Sequence, residues 1–155
     1  MIILLVFDKR GDNNVMVSSE QKIVNKTDEE WKKQLTLEQY EVCRRKGTEL
    51  PFSEECYNSK EKRIYRSVCC GNELFSSDNK FHSGTGWPSF TQSVKFENIE
   101  RKLDMSHGMI RKEVKCTRCG AHLGPVFDDG PALTRKRYCI NSIALSLGKD
   151  NKERR

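Results

Sequence analysis

From Ile64 onward the chain reads as short β-prone runs separated by glycine-marked turns, and this pattern limits the fold more than any other feature. The clearest runs are Arg63 to Val68, Ile110 to Cys116 and Lys136 to Leu147, punctuated by Gly71, Gly84, Gly86, Gly108, Gly120, Gly124 and Gly130. Runs of this kind between clusters of Gly, Ser, Asn and Asp read as strands joined by turns. The stretch Ile110 to Cys116 alternates, with Ile110, Val114 and Cys116 on one side and Arg111, Glu113 and Lys115 on the other. The second of these faces should be wet. Upstream, Thr27 followed by Glu30 is a capping-box pattern that opens a short helix carrying Trp31 and ending near Leu35. Thr36 with Gln39 opens a second helix through Arg45, with Gly47 as its stop and Leu37, Tyr40 and Cys43 near one face. The chain therefore divides into a poorly ordered tail (1–26), an all-β domain with short N-terminal helices (27–148) and a charged C-terminal end (149–155).

A length of 155 residues fits one domain with a real core. Lys and Arg exceed Asp and Glu by six, which attracts polyanions without naming one. The basic residues are scattered, without the aromatic interleaving of a single-strand platform or a basic helix stripe, so nucleic acid is not an expected partner. The apolar run Ile2 to Phe7 is far short of a membrane span and shorter than a usual signal core. No membrane segment is expected. Asp8, Asp12 and Glu20 argue against a mitochondrial presequence. Seven cysteines, an odd number partly arranged for metal, disfavour a disulfide framework. The expected compartment is the cytoplasm, with the mitochondrion or the endoplasmic reticulum as the alternative.

The metal-like arrangement pairs Cys70-Gly71 with Cys116-Thr117-Arg118-Cys119-Gly120. A Cys-x-x-Cys turn brings two sulfurs onto one cation, the following Gly lets backbone amides turn back, and two such turns form a tetrahedral four-thiolate zinc site. Here the position three before Cys70 is Ser67, a neutral alcohol and a poor zinc ligand. Cys70, Cys116 and Cys119 remain as ligands, with Cys69 as a possible fourth after a backbone shift. The rival readings are a water-completed site, reduced thiols packed together, and a redox use of Cys116 and Cys119.

A seventh cysteine stands apart. In Arg137-Tyr138-Cys139-Ile140-Asn141, strand alternation turns Cys139 and Asn141 one way, and Arg135, Lys136 and Arg137 would favour the reactive thiolate. The plainer reading is a buried structural cysteine. In Ser83 to Phe90, glycines flank a turn that presents Trp87 as a pocket wall or anchors it in the core. His82 and His107 read as solvated turn histidines.

Taken together, these stretches resemble the B-type methionine sulfoxide reductases, which act on the R epimer. The resemblance runs from Leu35 to Leu147, through Leu35 to Tyr40, Lys46 to Glu49, Cys70-Gly71 with Leu74-Phe75, Ser83 to Phe90 and His107 to Met109. It continues through Cys116 to Gly124, Phe127 to Pro131 and Arg137 to Ser142. It implies two antiparallel β-sheets and a thiol enzyme that repairs oxidised proteins or free methionine sulfoxide, with thioredoxin or a similar dithiol as reductant and zinc as a structural metal. Carried over residue by residue, it implies Cys139 as nucleophile, His122, Asn141 and Arg137 as active-site residues, and Trp87 and Phe90 as walls for the substrate methyl group. The plainer reading of His122, as a satisfied core histidine, is the lesser alternative.

Three positions depart from the family pattern. Pro125 stands where the family has a second histidine, and proline cannot donate a proton to the sulfoxide oxygen. Loss of a general acid costs about 10²–10⁴ in rate. Thr85 stands where many members carry a cysteine that resolves the sulfenic acid, leaving Cys43, Cys56 and Cys69 as spare thiols. Ser67 replaces a zinc ligand. The alternative expectation is a catalytically degenerate relative that binds oxidised methionine or serves a structural role.

Overall fold

The computed structural model describes the backbone of 4–7 and 13–16, and residues 22–52 and 62–148. Most of the tail, Cys56 and the charged end 149–155 lie outside the described residues. Strands β1 (Leu4–Phe7) and β2 (Asn13–Met16) pair antiparallel with each other, within the segment read from the sequence as a tail.

Both helices start where their capping boxes stand. In α1 (Asp28–Gln34) the Thr27 side chain accepts from the Glu30 amide, and in α2 (Leu37–Arg45) that of Thr36 accepts from the Gln39 amide, each box being reciprocal. Such caps satisfy amides left orphaned in a first turn. The end of α2 differs from the sequence reading. Lys46, not Gly47, takes the left-handed conformation (φ 58°), while Gly47 donates its N–H to the Glu41 carbonyl at 2.8 Å. A Cβ at Gly47 would lie 3.0 Å from that carbonyl oxygen, so close approach is what asks for glycine there. Leu37 is exposed; Tyr40, Val42 and Cys43 are the buried face.

The remaining strands form two antiparallel sheets, as expected. A six-stranded sheet runs in the order β5 (Lys80–Phe81), β6 (Ser89–Phe90), β10 (Arg137–Cys139), β9 (His122–Phe127), β8 (Arg111–Cys116) and β7 (Ile99–Asp104). A three-stranded sheet runs β11 (Leu145–Gly148), β3 (Ile64–Ser67), β4 (Glu73–Ser76). Aromatic rings tie them together: Phe75 of β4 stacks on Phe90 of β6 at 4.6 Å, and Tyr65 of β3 meets Phe90 edge-on at 5.2 Å. Pairs of this kind add about 0.5–1.5 kcal/mol each beyond the area they bury.

Two expectations are corrected. The run Lys136 to Leu147 is two strands, β10 and β11, divided at Asn141 by a 3₁₀ turn over Ser142–Ala144. The Glu113 face of β8 is not wet. β8 lies between two neighbours, and Glu113 is 2% exposed, its carboxylate held by His122 and Lys46. No helix among the described residues is long and apolar enough to cross a membrane.

Candidate active site

Strand register places the site. Tyr138 pairs with both Phe90 and Val126, and Ile140 donates its N–H to the Pro88 carbonyl at 3.0 Å, so β10 runs between the Trp87 loop and β9. Cys139 emerges at the bottom of a cavity of about 310 Å³ lined by Thr48, Thr85, Trp87, Arg111, Pro125, Phe127, Arg137, Cys139 and Asn141. That volume suits a small side chain. Although Cys139 is only 7% exposed, it opens on this cavity and is not sealed in the core.

The wall is held by a segment whose role was not evident from the sequence. Trp87 Nε1 donates to the Glu49 carbonyl at 3.1 Å, and the Glu49 amide donates to Asn141 Oδ1 at 3.0 Å. The Glu49 carboxylate accepts the N–H groups of Ser142 and, at 3.1 Å, Ile143. One residue therefore fixes the indole, the amide and the turn after Cys139. Asn141 Nδ2 donates one N–H to the Leu123 carbonyl at 2.9 Å, so both ends of its amide are anchored. The stretch Lys46 to Glu49 matched the family pattern, but nothing in its residue types assigned Glu49 this task.

The expected cationic push toward thiolate is overturned. Burial raises the Cys139 pKa above its ordinary value, and the opposing pulls of Arg137 and of a hydrogen bond from Thr85 do not cancel it. The cations are occupied: Arg137 Nε and Nη2 clamp Asp129 at 2.8 and 3.1 Å, and Lys136 pairs with Asp128. Alkylation of Cys139 by iodoacetamide, followed by mass spectrometry of its peptide, should keep accelerating beyond about pH 9. A midpoint at about pH 7 or below would contradict this environment.

Phe90 is not a wall. It is fully buried beneath Phe75, because its side of β6 faces the other sheet, and Phe127 stands at the cavity in its place. His122 does not line the cavity either. Its Nδ1 lies 2.7 Å from Glu113 Oε2, and burial holds its pKa below the ordinary histidine value despite that carboxylate. Glu113 Oε1 is buried without a hydrogen-bond partner. Thr85 sits against Cys139, whereas Cys43 and Cys69 are buried against each other, Cys69 reaching Cys119, and both are absent from the cavity wall.

The second constellation also assembles. The sulfurs of Cys70, Cys116 and Cys119 all lie within 4.8 Å of one another, with Cys70 and Cys116 3.7 Å apart. Gly71 (φ 76°) and Gly120 (φ 73°) turn back so that their amides donate to the carbonyls of Ser67 and Cys116, each at 2.8 Å. The helices brace both turns: Gln34 Nε2 donates to the Cys69 carbonyl and Arg44 Nη1 to that of Cys119, again at 2.8 Å. Hydrogen bonds from Cys119 and Cys70 pull the Cys116 thiol below its ordinary value, and three converging sulfurs are soft donors suited to a cation. Ser67 Oγ stands 3.5 Å from Cys119 Sγ, beside the three-sulfur cluster. Cys69 lies outside the three-sulfur cluster; its amide donates to Ser67 Oγ and its thiol is pushed up to about 12, the pull of Cys119 being outweighed by Cys43 and burial. The donor set fits a metal ion.

The SelR domain model matches residues 35–149. The peptide methionine sulfoxide reductase MsrB of Methanosarcina barkeri is 57% identical over 139 residues, 86% of this chain and 98% of that protein. The proteins of the same name from Hahella chejuensis and Leptospira interrogans are 56% and 53% identical over 79% and 82% of this chain, and 88% and 97% of their own lengths. Similarity at this level spans both cysteine turns, the indole loop and the Cys139 strand, and on it the chain belongs to the SelR domain family, the B-type methionine-R-sulfoxide reductases.

Proposed function

We propose that the protein reduces methionine-R-sulfoxide, protein-bound or free, to methionine, with Cys139 as nucleophile. The observation that carries this is a single thiol opening on a cavity closed by Trp87 and Phe127. The Cys139 sulfur attacks the sulfoxide sulfur, the S–O bond breaks, and the oxygen stays on Cys139 as a sulfenic acid while methionine leaves. The thiol sulfur is oxidised by two electrons and the substrate sulfur reduced by two. A dithiol of the thioredoxin kind then reduces the sulfenic acid, releasing water and closing its own disulfide. Trp87 holds the substrate methyl group, Asn141 shapes the floor beside Cys139, and Arg137, clamped by Asp129, keeps a positive field at the sulfur.

Thr85 lies where a resolving cysteine would reach Cys139, so recycling falls to the external dithiol or to Cys56. Cys70, Cys116 and Cys119 would hold zinc, which clamps the two turns and supplies stability, not reactivity. Six free cysteines among the described residues suit the reducing cytoplasm.

Mixing enzyme with excess racemic N-acetyl-methionine sulfoxide, without reductant, should yield one methionine derivative per chain, drawn from the R epimer, with loss of the Cys139 thiol. Added dithiothreitol should make turnover continuous. No product, with the Cys139 thiol intact, would leave a degenerate relative that only binds.

A further inference from the structure

Several polar groups on the cavity wall are anchored to the scaffold: Asn141 by Glu49 and Leu123, Arg137 by Asp129, Trp87 by Glu49, and Thr85 by Ser83. Arg111 is different. It lines the same cavity, yet among the described residues its guanidinium has no hydrogen-bonded or ion-paired partner, and Asp104 feels it only through space.

Register explains how it arrives there. On β8 and β9, Lys112 pairs with Val126 and Glu113 with Pro125, so Arg111 is next in line with Phe127. On β9 and β10, Arg137 pairs with Phe127 and Tyr138 with Val126, which sets Cys139 in the row of Pro125 and Glu113. Arg111 thus stands in the row of Arg137 and Phe127, two positions along from the row of Cys139 and two strands away. Strands are about 4.8 Å apart, so about 9.6 Å separates the strands of Arg111 and Cys139, a gap that a long cationic side chain spans in part and a substrate seated on the sulfur closes from the other side. The group between them is the ring of Pro125, which offers no donor and occupies less of the cavity than an imidazole.

We propose that Arg111 is a catalytic residue of this enzyme, donating hydrogen bonds to the sulfoxide oxygen as that oxygen gains negative charge, across the space that Pro125 leaves beside Cys139. The inference rests on the functional reading above. Guanidinium stays protonated throughout, so it stabilises the oxygen without giving up a proton. The proton that leaves the Cys139 thiol ends on the transferred oxygen: thiol and sulfoxide become sulfenic acid and thioether, and no outside acid enters the balance. A family member without its second histidine therefore keeps a charge-stabilising donor.

The test uses an uncharged substrate, N-acetyl-methionine-R-sulfoxide methylamide, so that the sulfoxide is its one strong acceptor besides amides. Removing one such donor typically costs about 10²–10³ in kcat. Arg111→Gln should lose about 10²-fold in kcat, with KM within about threefold of the parent and an unchanged melting temperature. In a Pro125→His background the same substitution should cost less than about fivefold, because an imidazole supplies a second donor. Should Arg111→Gln fail to fold, Arg111→Lys carries the test, with an expected kcat loss of about tenfold from losing the planar fork. Parent-like kcat in either variant, or a loss confined to KM, overturns the proposal. Failure of the parent to release any product sinks the functional reading itself, a result distinct from a parent that turns over alongside an equally active variant.

Discussion

Gly124→Ala is expected to cost about 3 kcal/mol or more, a large share of the roughly 5–15 kcal/mol that holds a domain together, and to remove turnover with it. A Cβ on Gly124 would lie 2.1 Å from the Cys139 carbonyl oxygen and 3.3 Å from Ile140 Cα, and the backbone there already sits at φ 153°. The opposing segment cannot retreat. Ile140 N–H is bonded to the Pro88 carbonyl and Asn141 N–H to the Leu123 carbonyl, so both sides of the Cys139 strand are pinned. Any shift that relieves the clash drags Cys139 out of the cavity. Gly84 supplies the control: it too has a left-handed φ, 76°, but a methyl group there would meet no heavy atom within 4 Å. Gly84→Ala should cost about 1 kcal/mol from conformation alone. Thermal melts and product release on both variants check this, and a Gly124→Ala protein melting beside its parent would refute the packing.

Ser67→Cys is expected to tighten zinc by about 100-fold. Structural zinc sites bind with about 10–16 kcal/mol, roughly 3 kcal/mol per ligand when shared among four, and a factor of ten is about 1.4 kcal/mol. The geometry already favours the exchange, since Ser67 Oγ is 3.5 Å from Cys119 Sγ and buried at 1% exposure. The lost hydroxyl leaves only the Cys69 amide without its present acceptor. Competition against a chelator reads the affinity, and a melting temperature that rises with added zinc more in the variant than in the parent reads its coupling to folding. Equal zinc retention would mean that the parent completes its site with another donor, Cys69 being the nearest thiol outside the cluster.

The two predictions probe opposite ends of one scaffold. The cysteine turns sit under the helices, through Gln34 and Arg44, while the cavity lies where β10 passes between the Trp87 loop and β9. β8 links the two, ending at Cys116 and carrying Arg111 and Glu113.

Local features were legible in the chain. Capping boxes marked both helices because a hydroxyl and a carboxylate or amide three residues apart satisfy orphan amides without help from elsewhere. The cysteine-glycine turns, the indole loop and the candidate nucleophile could be read from short spacings for the same reason: each is a few consecutive residues whose geometry is set within the turn. Arg137 and Asn141 came with Cys139 as its strand neighbours.

What the chain alone misjudged depends on burial and on who sits across the sheet. Glu113 looked solvated because alternation assigns faces without saying which face is covered, and His122 and Lys46 arrive from other elements to hold it. Phe90 matched a wall residue yet points into the core, since a two-residue strand takes its facing from both sheets. The cations beside Cys139 promised a low pKa, but desolvation is a property of the assembled cavity and outweighs them. Glu49 ended a matching stretch without an assigned role and Arg111 carried no motif; only strand register and loop closure bring them to the cavity. By itself the sequence determined the kinds of element, the cysteine turns and which thiol to look at as nucleophile, since these are set by neighbours along the chain. Which face is dry and which charges are free were decided only by tertiary structure, because each is the outcome of contacts between residues far apart in the chain.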